Sequence, residues 1–205
     1  MTKRIVLATW NRGKLAEFRA LLAGLDVEVL SVADLPGAPS EVIEDGQTCR
    51  ENARKKAVAV ARACGYPALA DDSGLEIDAL GGAPGVHSAR FAGPRATDGE
   101  NNSKVLSLLA EVLVPDRTAR FRCVLCYVDP LELEKGEEPH FEEGVCEGRI
   151  ISAARGTAGF GYDPLFVPTG FERTLAEFDA TEKNTLSHRG KATASMRRWL
   201  MPRFS

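Results

Sequence analysis

The sequence has no long apolar run, no large excess of one charge and no ordered set of cysteines. Each lack removes a class of protein. No stretch approaches the roughly 20 apolar residues that a membrane-crossing helix needs. The opening Met1-Thr2-Lys3-Arg4 leads into a short apolar run before Thr9-Trp10-Asn11, too short for the core of a signal peptide, so a cytoplasmic protein with no membrane partner is expected. Lys and Arg number 26 against 29 Asp and Glu, a net charge of −3, which gives no global field for nucleic acid. Any anionic ligand must be met by a local basic cluster. The five cysteines, at 49, 64, 123, 126 and 146, are odd in number and scattered. Cys123 and Cys126 spell C-x-x-C, but within the alternating run Ala119–Val128 they fall on opposite strand faces and cannot share a metal. All five read as buried small hydrophobes in a reducing compartment. Repeats, low-complexity tracts and linker-like breaks are also missing, so residues 1–205 are expected to form one domain.

What is present centres on Ala70-Asp71-Asp72-Ser73-Gly74-Leu75. The apolar run Pro67–Ala70 leads into two adjacent carboxylates, and Leu75, Ile77 and Ala79 then alternate as in a strand. This reading puts the acidic pair in a tight connection between two extended segments. Adjacent carboxylates repel, and holding both ionised in a partly desolvated place is costly unless a cation joins them. A hard divalent cation such as Mg²⁺ suits oxygen ligands of this kind. The alternative is an acidic surface turn.

Upstream, Ile5–Ala8 reads as a strand buried on both faces, followed by Thr9-Trp10-Asn11-Arg12-Gly13-Lys14 and a helix with Leu15, Phe18 and Leu22 on one side. Strand, glycine-containing loop and helix start together suit an anion, because exposed N–H groups, the positive end of the helix dipole and Lys14 converge there. The Walker A spacing is absent, and an ordinary βα connection is the other reading. Val27–Leu30 is a second strand. Thr48 and Glu51 then form a capping box for a helix that Gly65 and Pro67 end, with Asn52 and Lys56 sharing one face and Glu44 just ahead.

Downstream, Thr97 and Glu100 form another capping box, opening a helix to about Leu113 with Val105, Leu108, Leu109 and Val112 as its apolar face. Strands are expected over Ala119–Val128 and Phe141–Ile151 around a polar connection, with His140 solvated. Gly156–Pro164 interleaves glycines with Phe160 and Tyr162, as suits a loop that approaches a ligand and offers a flat ring, or a turn with its aromatics in the core. Lys183–Lys191 gathers Lys183, His188, Arg189 and Lys191, with Ser187 capping a last helix to Met201. Such a run is either a solvated face or a donor cluster.

In this order the motifs Ala8-Thr9-x-Asn11-x-Gly13-Lys14-x-x-Glu17, Glu44-x-Gly46-x-Thr48-x-x-Glu51-Asn52-Ala53, Ala70–Leu75, Gly159-Phe160-Gly161-Tyr162-Asp163-Pro164 and Ser187-His188-Arg189-Gly190 resemble those of the inosine triphosphate pyrophosphatase (RdgB-like) family over almost the entire chain. Trp10 is a departure, since that family usually carries a small residue there. The resemblance implies an elongated, two-lobed α/β fold around a long twisted mixed sheet, with a nucleotide cleft between the lobes, and a homodimer. It implies Mg²⁺-dependent hydrolysis of deaminated purine nucleoside triphosphates (ITP, dITP, XTP) to the monophosphate and pyrophosphate. Carried over residue by residue, Thr9, Asn11 and Lys14 meet the triphosphate with help from Lys56. Trp10, Arg12 and Gly13 of the same loop, and Ser73, also count as substrate-binding. Glu44 and Asp72 serve Mg²⁺ with Asp71 in support, and Asp72 also accepts the proton from water. Phe160, Gly161, Tyr162, Asp163, Lys183, His188 and Arg189 frame base and sugar.

Two other classes stay open at this point. Maf-type nucleotide pyrophosphatases share the general architecture, although the His188-Arg189 and Phe160–Asp163 motifs argue against them. A non-catalytic nucleotide-binding protein would have no need of Glu44 with Asp72.

Overall fold

A computed structural model describes residues 3–39 and 41–204. Ile5, Val6 and Leu7 are buried in strand β1 (Arg4–Leu7), as a run without polar interruption requires. It leads into helix α1 (Arg12–Leu22) and strand β2 (Glu28–Ser31), which pairs parallel to β1 with Ile5 opposite Val29. Helix α2 (Cys49–Cys64) follows, then β3 (Ala68–Ile77) and the two-residue β4 (Pro84–Gly85). The rest is α3 (Asp98–Leu108), β5 (Thr118–Val128), α4 (Pro130–Glu134), β6 (His140–Ile150), β7 (Phe166–Pro168), α5 (Ala180–Leu186) and α6 (His188–Phe204). The seven strands form one mixed sheet in the order β2-β1-β3-β5-β6-β7, with β4 antiparallel on β3. This is the mixed α/β class expected.

The chain divides into two compact units: Met1–Asp72 with Cys123–Glu143 and Ala192–Ser205, and Ser73–Arg122 with Gly144–Lys191. In the first, strand alternation sorts residues between two cores. Leu7, Leu69, Cys123 and Leu125 pack with Phe18 and Leu22 of α1 and Met196 and Leu200 of α6. Val6, Ala68, Ala70 and Cys126 pack with Ala53, Ala57 and Val60 of α2. The C-x-x-C thiols thus point into different cores, as their spacing demands. Four of the five cysteines are buried and Cys64 is half-buried; burial pushes the Cys126 thiol up to about 12, so it stays inert. The second unit has one core, in which Leu75, Ile77, Phe121, Ile150, Leu165, Phe166 and Phe178 meet Val105 of α3 and Leu109 just past its end.

Several expectations need correction. The acidic pair does not interrupt two strands, because β3 is continuous through Asp71, Asp72, Ser73 and Gly74. Gly74 is there because a Cβ would strike the carbonyl of Gly85 on β4, a close backbone approach rather than a turn. Thr48 caps α2 through the Glu51 N–H (3.2 Å), but Glu51 Oε2 accepts from the Gln47 N–H (2.7 Å), one residue before the position a capping box uses. Helix α3 stops at Leu108, whose side chain is exposed; Asn101 joins Val105 on the buried face instead. His140 is not simply solvated. It stacks on Trp199 with centroids 3.9 Å apart and lies 3.0 Å from Glu142. Helix α6 extends to Phe204, past Met201.

Candidate functional site

In the first unit, β3 and the two helices beside it bring the acidic pair and two lysines together. Consecutive strand residues face opposite ways, so Asp71 shares the side of Leu69 and Asp72 the side of Ala70. Asp71 therefore meets α1, where Lys14 Nζ lies 2.8 Å from its carboxylate. Asp72 meets α2, where Lys56 Nζ is 3.4 Å from Oδ1 and Asn52 Nδ2 donates to Oδ2 at 3.2 Å. Lys56 Nζ also donates to Glu44 Oε1 at 2.8 Å. Asn52 and Lys56, one helical turn apart, thus turn the face they share onto one carboxylate. Asn52 Oδ1 accepts in addition from the Gly46 N–H at 2.8 Å, which ties the Glu44 loop to α2. A Cβ on Gly46 would come within 2.6 Å of that oxygen, so only glycine allows the approach.

These charges are deeply set. Asp71 and Asp72 are 2% and 5% exposed and Lys56 is 4% exposed. Burial is the largest influence on Asp72 and pushes its carboxyl up; Lys56 opposes the shift and Glu44 adds to it. Burial alone would lower Lys56, but the combined field of Asp72, Asp71 and Glu44 outweighs it and holds the ammonium above the ordinary lysine value. In these ion pairs two ammonium groups face three carboxylates. Among the described residues no three His, Cys, Asp or Glu side chains stand together as a ready ligand set. Lys56 Nζ holds the point on which Glu44 and Asp72 converge.

The loop ahead of α1 is ordered by its own side chains. Thr9 Oγ1 accepts from the Asn11 N–H at 3.3 Å, and Asn11 Oδ1 accepts from the Lys14 N–H at 3.1 Å as the N-cap. Arg12 is exposed and Gly13 half-buried at the first helical positions. Trp10, the departure from the family pattern, lies half-buried against the α2 core.

In the second unit a different cluster forms around the Gly156–Pro164 loop. Asp163 Oδ2 accepts from the Phe160 N–H at 2.9 Å and from Lys183 Nζ at 2.8 Å. The half-buried Phe160 ring has Lys183 Nζ 4.8 Å and Arg189 Cζ 5.4 Å from its centroid, both within cation–π reach. Arg189 also lies 3.5 Å from Ser73 Oγ. His188 stacks on Phe121 with centroids 4.7 Å apart and planes 12° apart. The Tyr162 ring is buried, and its hydroxyl donates to the Ser88 carbonyl at 2.8 Å. Gly159 has φ +76°, and a Cβ there would strike the Asp163 carboxylate.

The cations come from the helix start at Ser187 that the sequence marks, preceded by a short helix that it does not. Helix α5, opened by the Asp179/Glu182 capping box, stops at Ser187, and Ser187 Oγ accepts from the Gly190 N–H at 3.1 Å to begin α6. A Cβ on Gly190 would strike the Asn184 carbonyl, so glycine lets the two helices meet this closely. His188 and Arg189, 4% and 2% exposed, therefore sit in the first turn of α6, where the helix dipole disfavours positive charge.

Every residue expected at a site falls into one of these two clusters or the Thr9–Lys14 loop. Sequence reasoning did not assign Asn52 to the site, although its spacing from Lys56 was the available signal. It also missed Phe121, which carried none.

Acidic groups that converge on lysine in one unit, and cations gathered round an aromatic ring in the other, define a nucleotide-handling α/β protein. The sequence profile of the Ham1 family matches residues 5–199, and the chain belongs to that family. It is 51% identical over 189 residues to the dITP/XTP pyrophosphatase of Desulforamulus reducens, covering 92% of this chain and 91% of that protein. It is 48% identical to the dITP/XTP pyrophosphatase of Geobacter sulfurreducens, covering 95% of this chain and 94% of the relative. Among solved structures, a HAM1 protein from Coxiella burnetii superimposes with a TM-score of 0.87 at 43% identity, over 98% of this chain and 99% of the other. A nucleoside-triphosphatase / dITP/XTP pyrophosphatase from Mycobacterium abscessus gives 0.74 at 40% identity, over 94% and 98%. The family reached from the five motifs and the family reached by these likenesses are the same. Among the described residues no helix is long and apolar enough to cross a membrane.

Proposed function

We propose that this protein hydrolyses deaminated purine nucleoside triphosphates (ITP, dITP and XTP) at the α–β anhydride, releasing the nucleoside monophosphate and pyrophosphate. The observation that carries the reading is the buried Asp72 carboxylate, held by Asn52 and Lys56 beside Glu44. The names of the relatives support the same substrates.

Two lysines against three carboxylates would repel a polyphosphate, and one divalent cation reverses that excess. Glu44 and Asp72 turn carboxylate oxygens toward the point that Lys56 Nζ holds, donors that suit a hard cation, and Mg²⁺ is the one we assign to them. When bound there, it supplies charge neutralisation on the phosphates and lowers the pKa of a coordinated water. The chain's own residues do the rest. Lys14 and Lys56 supply cations for the phosphate oxygens, and the N-terminus of α1 with Thr9 and Asn11 supplies N–H and hydroxyl groups. Asp72 accepts the proton of the attacking water as the anhydride bond breaks, and Asn52 fixes the orientation of its carboxylate. Phosphoryl transfer asks mainly for this kind of positioning and charge stabilisation.

The second cluster reads the base. Arg189 and Lys183 only donate hydrogen bonds, and hypoxanthine and xanthine carry an acceptor oxygen at purine position 6 where adenine carries a donor. Phe160 offers a ring for stacking. Guanine shares the 6-keto group, so its rejection rests on the 2-amino group. We further assign the chain to the cytoplasm and to a homodimer. The deciding experiment measures Mg²⁺-dependent pyrophosphate release from ITP, XTP, GTP, ATP and dUTP. ITP and XTP are expected well above GTP, with ATP poor; equal turnover of all five, or none without loss of binding, overturns the proposal.

A further inference from the structure

Helix α3 grips the aromatic loop at Gly161, holding both backbone polar groups of that residue. Asp98 Oδ2 accepts from the Gly161 N–H at 2.7 Å, and Asn102 Nδ2 donates to the Gly161 carbonyl at 3.0 Å. Asp98 and Asn102 lie four residues apart and so share one face of the helix. Gly161 has φ +64°, and its Cβ position is open, so glycine is required by the backbone and not by space. Glycine is the residue freest to rotate, yet here both its polar groups are held by one helix. The helix is fixed in turn. Thr97 and Glu100 form a full capping box, Val105 and Leu109 are buried, and Asn101 accepts from the Ala92 N–H and donates to the Ala89 carbonyl.

Fixing Gly161 fixes its neighbours. The Phe160 N–H is tied to Asp163, and the Tyr162 hydroxyl to Ser88, so the Gly161 peptide is the remaining freedom between two anchored aromatics. We propose that Asp98 and Asn102 are positioning residues that set the plane of the Phe160 ring through the Gly161 peptide, and thereby tune affinity for the purine. This rests on the reading that Phe160 stacks on the base. Neither side chain need touch substrate.

The test compares Asp98→Ala, Asn102→Ala and Asp98→Asn, each alone and on a Phe160→Ala background. The readouts are KM and kcat for ITP, and inhibition by inorganic tripolyphosphate, which has no base. A charge-assisted hydrogen bond of this kind is worth about 1.5–3 kcal/mol, so Asp98→Ala should raise the KM for ITP about tenfold or more with a smaller change in kcat. Asn102→Ala should act in the same direction and more weakly. Asp98→Asn keeps an acceptor oxygen and should restore most of the loss. Inhibition by tripolyphosphate should not change in any of them. In Phe160→Ala protein, removing Asp98 should add nothing. An additive effect there, or equal weakening of tripolyphosphate, overturns the clamp and leaves the base-stacking reading standing. A Phe160→Ala protein with unaltered KM for ITP overturns that reading, and the role of the clamp with it.

Discussion

Each unit buries charge, and the two do so with opposite balance. In the first, Lys14 and Lys56 face Glu44, Asp71 and Asp72, an excess of carboxylate. In the second, Lys183 and Arg189 flank the Phe160 ring and Asp163 pairs with Lys183, so two cations meet one carboxylate around the ring. An anionic excess is a place for a cation and, with it, a polyphosphate. A cationic excess beside an aromatic ring suits a flat, neutral group rich in acceptor oxygens. On the proposed function the contrast separates catalysis from selection: damage to the first cluster should change how fast any nucleotide is cut, and damage to the second should change which one.

The largest effect is expected at Asp72. Asp72→Asn keeps shape and one hydrogen bond from Asn52 but removes the proton acceptor and a carboxylate. Hydrolysis of ITP should fall at least ~10²-fold, and that of ATP by the same factor, while the far-UV spectrum is kept. Near-normal turnover by a folded protein would remove Asp72 from the mechanism.

Next comes Arg189. Losing a buried cationic donor costs about 1.5–3 kcal/mol, so Arg189→Ala should cut kcat/KM for ITP by roughly 10–10². Residual ATP hydrolysis should fall far less, because adenine presents no acceptor at position 6. If both substrates lose the same factor, Arg189 positions nucleotides in general and the division of labour between the clusters fails.

Third are the lysines. Lys14→Ala and Lys56→Ala should each raise the KM for ITP, on the order of tenfold, by removing a cation from the phosphates. Each also takes an ion-pair partner from a buried carboxylate: Asp71 loses the ammonium at 2.8 Å, and Glu44 and Asp72 lose the one they share. Melting temperature should therefore fall too, more for Lys56, since breaking a buried pair costs about 3–5 kcal/mol. Asp71→Asn added to Lys14→Ala should recover stability without recovering KM. If KM recovers along with stability, Lys14 acts through the fold and not through phosphate.

The first cluster was largely legible in the sequence because it is built from periodic elements. Alternation in Leu69-Ala70-Asp71-Asp72 and the four-residue spacing of Asn52 and Lys56 already place the side chains. Even so, Asp-Asp-Ser-Gly has the composition of a turn, and only the approach of Gly85 explains why Gly74 stands inside a strand. The second cluster was legible as motifs and not as geometry. Nothing periodic links Phe160 to Lys183, and the break between α5 and α6 that buries His188 and Arg189 depends on contact with Asn184. Asp98 looked like ordinary helix-start chemistry, since Thr97 and Glu100 beside it account for the cap without it.

The smallest effect distinguishes holding α3 together from holding the loop. Glu100 accepts hydrogen bonds from the Thr97 backbone N–H at 2.7 Å and from its hydroxyl at 2.8 Å, and these, the backbone bond foremost, lower its carboxyl below the ordinary glutamate value. A carboxylate whose folded pKa is depressed contributes stability that is fully present above the unfolded pKa and is lost as pH falls through the folded one. Glu100→Gln keeps an acceptor but no charge, so the variant should melt slightly below the parent at neutral pH. The gap should close as the pH drops through and below the glutamate range. A gap that stays constant across that range would mean the charge contributes nothing and packing alone is altered. Because Glu100 touches Thr97 and not Gly161, its loss should leave the KM for ITP unchanged at temperatures well below melting. In Asp98→Ala protein the KM should rise under the same conditions. Two substitutions two residues apart on one helix would then split, one moving stability alone and the other moving affinity for the base.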